Sequence, residues 1–424
     1  MGNGRLLGGM ERLFYQQNTV GSSNLTSILF FEGTLDLESI PVALARVQRA
    51  YPLLSAQIVA DPFLRYEVGD GELSFQIIKR ADAEHWRLCA RQEVKRHHKE
   101  RRIFVTFLIG PESGEIIVAA DHTLADAKSL YAVCQVLIAG LNGKTTPLVP
   151  IGKAWEQRVT PGFRGFRGIW RTIMFVWKLL RRTPEQSLRF GRDTQNVNTV
   201  SYGFHFDRVT LARLKKVLDQ NKSNLNSLFC AASMLAAFDV YSEEESGIAC
   251  LNVPVSVREQ IDPPASPVEM GMFISAFLQW HELSAKTDIW DLSRRILHTT
   301  RTGVQAGEAV ILGKLAGAPK RPRPPKTDKA RRRFEHSITV SNPGKLVSFE
   351  DLPNAKIVGY RNLGSLWTQE SIVVVVLGYG ENLFVDAEIS LERLGHIPDA
   401  AQKLADGIRQ RVLNLIEEPV AIPS

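Results

Sequence analysis

The sequence predicts a mixed α/β protein composed of two similar subdomains side by side. Strand and helix signals alternate along the 424 residues, each half ends in a pair of β-rich segments, and a proline-containing stretch separates the halves. We place an N-terminal subdomain at residues 1–150, a connector at 151–198 and a C-terminal subdomain at 199–424. A site in the cleft between the two subdomains is the default expectation.

The N-terminal half begins with a strand and an amphipathic helix. β-forming residues predict the strand at 27–32. The helix that follows has Asp36 as its N-cap and is stopped by Pro52. Its apolar stripe consists of Leu37, Ile40, Leu44 and Val47.

A hairpin and a second helix complete this half. Two β-rich runs, Ile103–Ile109 and 115–121, are joined by the five residues 110–114, which predicts a hairpin. His122 follows in a loop. A helix is predicted from about Asp126 to Gly140 because apolar residues recur there at helical spacing.

The C-terminal half repeats this alternation of elements. The predicted strands are Thr199–Phe206 and residues 247–257, 336–340, 372–377 and 383–389, with a turn at 378–382 between the last two. The predicted helices are one capped by Thr210, then 224–241, one that begins at Ile289, and 398–416. Residues 313–333 are rich in Pro, Lys and Arg, which favours a mobile loop.

Positive charge is concentrated in two segments. The net charge is +7, yet residues 163–182 hold six basic residues and no acid, and residues 314–333 hold nine basic residues and one acid. The rest of the chain is therefore net acidic. This distribution argues against a general nucleic-acid-binding surface and favours two local electrostatic features.

The cysteines and the N-terminus bear on the cellular compartment. The four cysteines form no C-x-x-C pair, which disfavours a zinc or dithiol site and fits a reducing compartment. Residues 1–10 lack the apolar core of a signal peptide, and no window has 18 uncharged apolar residues. The sequence therefore predicts a cytoplasmic protein without a transmembrane helix.

A His-x-x-x-Asp pattern occurs at His122 and Asp126. The histidine follows an apolar strand at a point where a rigid scaffold can present a side chain to a cleft. Its ordinary pKa near neutrality suits general-base chemistry. A solvated or hydrogen-bonded loop histidine accounts for the local sequence equally well.

Several segments together resemble the coenzyme A-dependent acyltransferase superfamily, which has the chloramphenicol acetyltransferase fold. This group includes nonribosomal-peptide condensation domains, plant His-x-x-x-Asp acyltransferases and mycobacterial polyketide-associated acyltransferases. The segments are FFEGTLDLESIPVALARVQRAYPLLSAQI (30–58), IIVAADHTLADAKSL (116–130), LNVPVSVREQ (251–260) with GMFIS (271–275), and ITVSNPGKL (338–346). The resemblance spans nearly the whole chain and implies a pseudo-dimer of two subdomains with a tunnel between them.

The resemblance implies acyl transfer without a covalent acyl-enzyme. His122 would be the base that deprotonates a hydroxyl or amine acceptor as it attacks an acyl thioester. Asp126 would shape the loop by pairing with Arg258. The other expected tunnel or substrate-binding residues are Asp121, Ser341 and Asn342. The donor would be acyl-coenzyme A or the phosphopantetheine thioester of an acyl carrier protein, and no bound cofactor or metal is expected.

The sequence departs from the family pattern beside the histidine. Asp121 replaces a first histidine, Ala127 replaces a glycine, and Met272 stands where many relatives have asparagine. These changes keep open a catalytically silent binding module of the same fold. Retention of His122, Asp126 and Arg258 favours an enzyme, and the other alternative is a stand-alone condensation enzyme that takes its acyl group from a carrier protein.

The two basic segments suggest partners. Residues 163–182 interleave Arg with Trp and Phe, which fits a helix on a membrane surface or a crossover helix with a solvated basic edge. Residues 314–333 could dock an acidic carrier protein or coenzyme A phosphates, or form a solvated loop. Neither has the aromatic spacing of a nucleic-acid-binding fold. Peripheral membrane association of a cytoplasmic protein is therefore left open.

Overall fold

The structure is a computed structural model. It describes residues 4–20, 23–60, 63–96, 102–185, 187–191, 198–316, 337–366, 371–394, 397 and 399–417. Its helices are α1 (Gly9–Val20), α2 (Ile40–Ala50), α3 (His85–Lys95), α4 (Ala127–Leu141), α5 (Gly165–Arg182), α6 (Arg208–Gln220), α7 (Leu225–Tyr241), α8 (Ile289–Ala306), α9 (Glu308–Ala316) and α10 (Ala400–Glu417).

The strands of the first half are β1 (Gly4–Leu6), β2 (Asn24–Gly33), β3 (Ala56–Ala60), β4 (Leu64–Val68), β5 (Ser74–Lys79), β6 (Ile103–Ile109) and β7 (Ser113–Asp121). The strands of the second half are β8 (Thr199–Phe206), β9 (Ser246–Ser256), β10 (Ile274–Ser284), β11 (Ile338–Leu346), β12 (Ala355–Gly364), β13 (Ile372–Tyr379) and β14 (Asn382–Ser390).

These strands form three sheets. A five-stranded sheet has the order β12-β2-β7-β6-β5, a six-stranded sheet has the order β10-β9-β11-β13-β14-β8, and a small sheet has the order β1-β4-β3. Most neighbours are antiparallel, but β5 runs parallel to β6, and β11 runs parallel to both β9 and β13. The expectation of a mixed α/β fold in two halves is confirmed.

Each large sheet has its own apolar core. In the first half, α2 and α4 pack on each other and bury one face of the five-stranded sheet. In the second half, α7 packs between α8 and α10, and all three helices contact the six-stranded sheet. Every residue of α7 from Ser227 to Phe238 is buried, which explains why this stretch is apolar on nearly every side.

Strand β12 joins the two halves. It comes late in the chain, yet it pairs with β2 along its length, from Ala355 opposite Gly33 to Gly364 opposite Leu25. Arg361 on β12 forms a buried ion pair with Asp386 on β14 of the other sheet. One strand of the second half, β12, is therefore part of the five-stranded sheet of the first half, although the predicted boundary lies at residue 199. The domain division stays a prediction.

Most predicted elements are present with small shifts at their ends. The predicted strand at Thr199–Phe206 has the bounds of β8, and the two strands predicted for the last hairpin are β13 and β14. Asp36 caps a short 3-10 turn, Leu37–Ser39, that leads into α2, and this helix ends two residues before Pro52.

Two local predictions are wrong. The loop between β6 and β7 has three residues, not five, because Ile109 pairs with Gly114 and β7 begins at Ser113. The N-cap of α6 is Asp207 rather than Thr210, since the Asp207 carboxylate accepts a hydrogen bond from the Thr210 N–H (2.8 Å).

The first residues of the loop predicted at 313–333 are helical. α9 extends to Ala316, and Lys314 on it donates to the Phe163 carbonyl (2.8 Å). Residues 317–336, which carry the rest of that prediction, and Pro398 lie outside the described residues.

The connector contains one long helix, α5, which is discussed below. Among the described residues, no helix is both long and apolar enough to cross a membrane.

Candidate active site

His122 lies in the turn between β7 and α4, and hydrogen bonds hold the backbone of that turn. The His122 N–H donates to the Ser23 carbonyl (2.9 Å). The hydroxyl of the fully buried Tyr66 donates to the Thr123 carbonyl (2.6 Å). The imidazole is therefore presented by a backbone whose polar groups are satisfied, and such a turn can hold a side chain in one orientation.

The tautomer of His122 follows from one contact. Its Nδ1 lies 2.8 Å from the Ala125 carbonyl oxygen. A carbonyl oxygen only accepts, so Nδ1 carries the proton and the neutral ring has its lone pair on Nε2. The side chain is partly exposed. Nε2 is thus the atom able to take a proton from a bound molecule.

The surroundings of His122 favour its neutral form. Burial lowers the pKa of His122, while the Asp126 charge and the hydrogen bond to Ala125 act in the opposite direction. The buried ring of Phe14 on α1 lies against the imidazole, with ring centroids 4.4 Å apart. A histidine that is neutral near pH 7 is ready to act as a base.

One peptide unit links the imidazole to the second half of the chain. Its carbonyl, on Ala125, accepts from His122, and its N–H, on Asp126, donates to the Gly271 carbonyl (3.1 Å). Hydrogen bonds aligned through one amide polarise each other. The orientation of the candidate base therefore depends on contact between the two halves.

The Asp126 carboxylate receives donors from both halves. Its Oδ1 accepts from the Ser129 N–H (2.7 Å), which makes it the N-cap of α4, and lies 3.2 Å from Arg258 Nη2. Its Oδ2 accepts from the Phe273 N–H (3.1 Å). The expected Asp126–Arg258 pair is present, and both side chains are buried.

Arg258 itself is held on several sides. Its Nη2 also donates to Ser129 Oγ (2.7 Å), and its Nη1 donates to the carbonyls of Ser266 (3.1 Å) and Glu269 (3.0 Å). The Phe273 ring covers the guanidinium, with Cζ 4.2 Å from the ring centroid. This arrangement makes the pair a fixed junction rather than a mobile charge contact.

The Asp121 side chain is bonded to Arg102 and Thr123. Its carboxylate pairs with Arg102, and its Oδ1 accepts from the Thr123 N–H (2.8 Å) and Thr123 Oγ1 (2.6 Å). The side chain is buried in the interior of the turn. The structure therefore places Asp121 as an anchor of the His122 backbone, not on a surface open to substrate. Ala127 is the first residue of α4 and is partly exposed.

Ser341 and Asn342 lie on β11, and both are partly exposed. The strand has an irregularity here, where the register against β13 shifts between Ser341 and Gly344. Asn342 Oδ1 accepts from the Gly344 N–H (2.8 Å). In the described part of the chain, neither side chain hydrogen-bonds to His122.

The sheet opens next to these two residues. β11 pairs with β9 only at Ile338 and Thr339, opposite Leu251 and Asn252. Beyond that point β9 continues along β10 and β11 continues along β13, so the two strands separate. Ser341 lies in the stretch of β11, beginning at Val340, that no longer pairs with β9.

The sequence did not predict most of the residues that hold His122, its turn and the Asp126–Arg258 pair in place. These are Phe14, Tyr66, Arg102, Ser129, Gly271 and Phe273. Only Ser129 had a usable local signal, because it lies three residues after Asp126 at the spacing of an N-cap bond. The others come from distant parts of the chain.

Comparison with known proteins identifies the fold. A family model described as the phthiocerol/phthiodiolone dimycocerosyl transferase C-terminus matches residues 204–368. Polyketide synthase associated protein 5 from Mycobacterium tuberculosis has a similar structure, with a TM-score of 0.70, 15% identity and 98% of both chains covered. The chain has the coenzyme A-dependent acyltransferase fold. The predicted resemblance is thus confirmed.

Two further structures share this fold. Trichothecene 15-O-acetyltransferase from Fusarium sporotrichioides gives a TM-score of 0.73 at 10% identity, covering 97% of this chain and 95% of that one. The starter condensation domain of rhizomide synthetase, in complex with C8-CoA, gives 0.67 at 14% identity, covering 98% and 95%. Comparison with curated proteins gives no match.

Proposed function

We propose that this protein is an acyltransferase that moves an acyl group from a thioester to a hydroxyl or amine, with His122 as the general base. The observation that carries the proposal is the hydrogen bond from His122 Nδ1 to Ala125, because it leaves the Nε2 lone pair available. The lowered pKa of His122 keeps that lone pair unprotonated near neutrality.

The reaction needs one base and no covalent intermediate. Nε2 of His122 takes the proton from the acceptor O–H or N–H as that atom attacks the thioester carbonyl carbon. The tetrahedral oxyanion then collapses, the C–S bond breaks, and the departing thiolate takes the proton back from Nε2. The base is regenerated and one thiol leaves for each acyl group transferred.

The donor is acyl-coenzyme A or an acyl carrier protein thioester. The rhizomide domain with this fold is described in complex with C8-CoA, which supports a coenzyme A thioester as one donor. The opening between β9 and β11 supports a tunnel that would admit the pantetheine arm, with Ser341 and Asn342 near its wall.

Asp126 and Arg258 have a positioning role in this proposal. They hold the peptide unit that orients His122, and neither needs to touch the substrate. Asp121 acts through the backbone of the same turn.

Thiol release from labelled acyl-coenzyme A donors, with alcohol and amine acceptors, tests the proposal. We expect turnover with at least one pair, and His122→Ala should lower it by about 10²–10⁴-fold, the usual contribution of a general base. His298→Ala is the matched control, since His298 is exposed on α8 and should keep full activity. Turnover that His122→Ala leaves intact would exclude His122 as the base, and no turnover with any donor would favour the silent binding module.

A further inference from the structure

Helix α5 packs one face against the rest of the protein, and its opposite face is exposed to solvent. Its buried residues are Gly168 and Phe175, and Arg182 at its end pairs with Glu308 of α9 (3.2 Å). A Cβ on Gly168 would come within 2.4 Å of the Phe163 carbonyl oxygen, so a larger residue would push the helix away from the preceding turn. α5 therefore sits on the body through a narrow strip of small and apolar contacts.

The opposite face of α5 is apolar and exposed. Its large side chains are between 44% and 83% exposed, and they are Phe166, Ile169, Trp170, Ile173, Trp177 and Leu180. Their spacing of three and four residues places them on one stripe of the helix. A stripe of this kind is typical of a surface that meets another apolar phase, because isolated soluble domains rarely expose contiguous apolar patches.

Basic side chains border that apolar stripe. They are Arg167, Arg171, Lys178 and Arg181, and all four are exposed. Helical spacing places them on the arc between the apolar stripe and the buried strip. Residues 163–182 contain no acid to neutralise them. The Arg181 guanidinium lies over the Trp177 ring, with Cζ 3.7 Å from its centroid, so charge and aromatic surface are presented together.

We infer that α5 docks the protein on a membrane surface that contains anionic lipids. Trp and Phe rings enter the boundary between headgroups and acyl chains, and the flanking Arg and Lys side chains meet the lipid phosphates. A second copy of this chain fits the face less well, because two such helices would bring unneutralised positive charges together. The basic residues also mean that α5 lies on the bilayer and does not cross it. This inference does not depend on the proposed acyl transfer.

Vesicle binding by the full-length protein tests the inference. Cosedimentation is compared between vesicles of phosphatidylcholine alone and vesicles that also contain phosphatidylglycerol. We expect binding to rise at least about tenfold with the anionic lipid and to fall with added salt, which screens the charges. Brominated phosphatidylcholine in the mixed vesicles should quench tryptophan fluorescence, and replacing Trp170 and Trp177 by Phe should remove that quenching.

Two variants and two matched controls separate the outcomes. W170S with W177S removes apolar surface, R167E with K178E reverses charge, and each pair should lower binding at least about tenfold. The controls carry the same changes elsewhere: F63S with L148S at exposed apolar positions, and K215E with K216E on α6. All of these positions are exposed, so thermal unfolding of every variant should match that of the wild type.

Several results would overturn the inference. Equal binding by the α5 variants and the controls would show that α5 is not the contact. Binding that ignores lipid charge would remove the role of the basic residues. A dimer in sedimentation velocity without lipid, dissociated by W170S with W177S, would assign the face to a second copy of the chain.

Discussion

Two buried Arg–Asp pairs lie where the two halves of the fold meet, and they are built differently. Arg258 pairs with Asp126 at the His122 turn, and Arg361 pairs with Asp386 between β12 and β14. All four side chains are almost fully buried. By residue type and burial alone, the two pairs would be judged equivalent.

The two pairs differ in the number of hydrogen-bond donors that contact the aspartate carboxylate. Asp126 accepts from Arg258 and from the backbone of Ser129 and Phe273. For Asp386, Arg361 is the one hydrogen-bond donor within the described part of the chain.

The two sites therefore differ in how well they support a charge. Burial raises the pKa of Asp386, although the Arg361 guanidinium opposes that rise. A buried charge is stabilised by its full set of donors rather than by one partner. The Asp126 site has such a set, drawn from both halves, and it is the site that orients His122.

Of the substitutions that test this comparison, Asp126→Asn should have the largest effect on the free energy of unfolding. The asparagine keeps the cap to Ser129 but leaves Arg258 as an uncompensated buried charge, so the free energy of unfolding should fall by about 3–5 kcal/mol. Urea unfolding measures this. A variant with full stability but no acyl transfer would give Asp126 a direct chemical role and contradict its positioning role.

Asp386→Asn should cost less, about 1–3 kcal/mol. Burial already disfavours the ionised form of Asp386. The substitution removes that unfavourable buried charge, which offsets part of the cost of leaving Arg361 without its partner. At a temperature where both variants are folded, kcat/KM should stay near the wild-type value for Asp386→Asn and fall for Asp126→Asn. An equal loss of stability in the two variants would show that the extra donors at Asp126 do not matter.

Ser129→Ala tests whether the Asp126 site acts as one network. Ser129 Oγ accepts from Arg258 (2.7 Å) and donates to the Gly271 carbonyl (2.8 Å), so its loss should cost about 1–2 kcal/mol. A double-mutant cycle with Asp126→Asn should give a coupling energy of about 0.5–3 kcal/mol. The same cycle between Ser129→Ala and Asp386→Asn is the control and should be additive.

The smallest expected effect is a shift in the pH dependence of kcat/KM. Burial lowers the pKa of His122 below the ordinary 6.5, so kcat/KM should fall only as the pH drops below that value and protonates Nε2. The Asp126 charge raises this pKa, and Asp126→Asn should therefore move the acid limb to lower pH. Asp386→Asn should leave the limb in place. An acid limb above pH 6.5 in the wild type would contradict a His122 base whose pKa is lowered.

Much of the fold could be read from the sequence because its signals are local. The apolar run of α7, the β-rich runs around the last turn and the start of α4 near Asp126 depend on neighbours within a few residues. The motif order that identified the fold is also a property of the chain itself. The wrong predictions were local as well: the cap of α6 was placed three residues too late and the start of β7 two residues too late. Several residues could serve at each place, and only the backbone register decides among them.

The sequence by itself determined that this chain forms two α/β cores and carries one histidine after a strand, followed at four residues by an aspartate. Only the tertiary structure decided what surrounds that histidine. The Gly271 carbonyl, the Phe273 amide and the Phe14 ring reach the turn from distant segments. No local pattern encodes such contacts, because they arise when separately folded surfaces meet. The choice of Nε2 as the basic atom rests on the contact with Ala125 inside the same turn, whereas the difference between the two Arg–Asp pairs follows from that meeting.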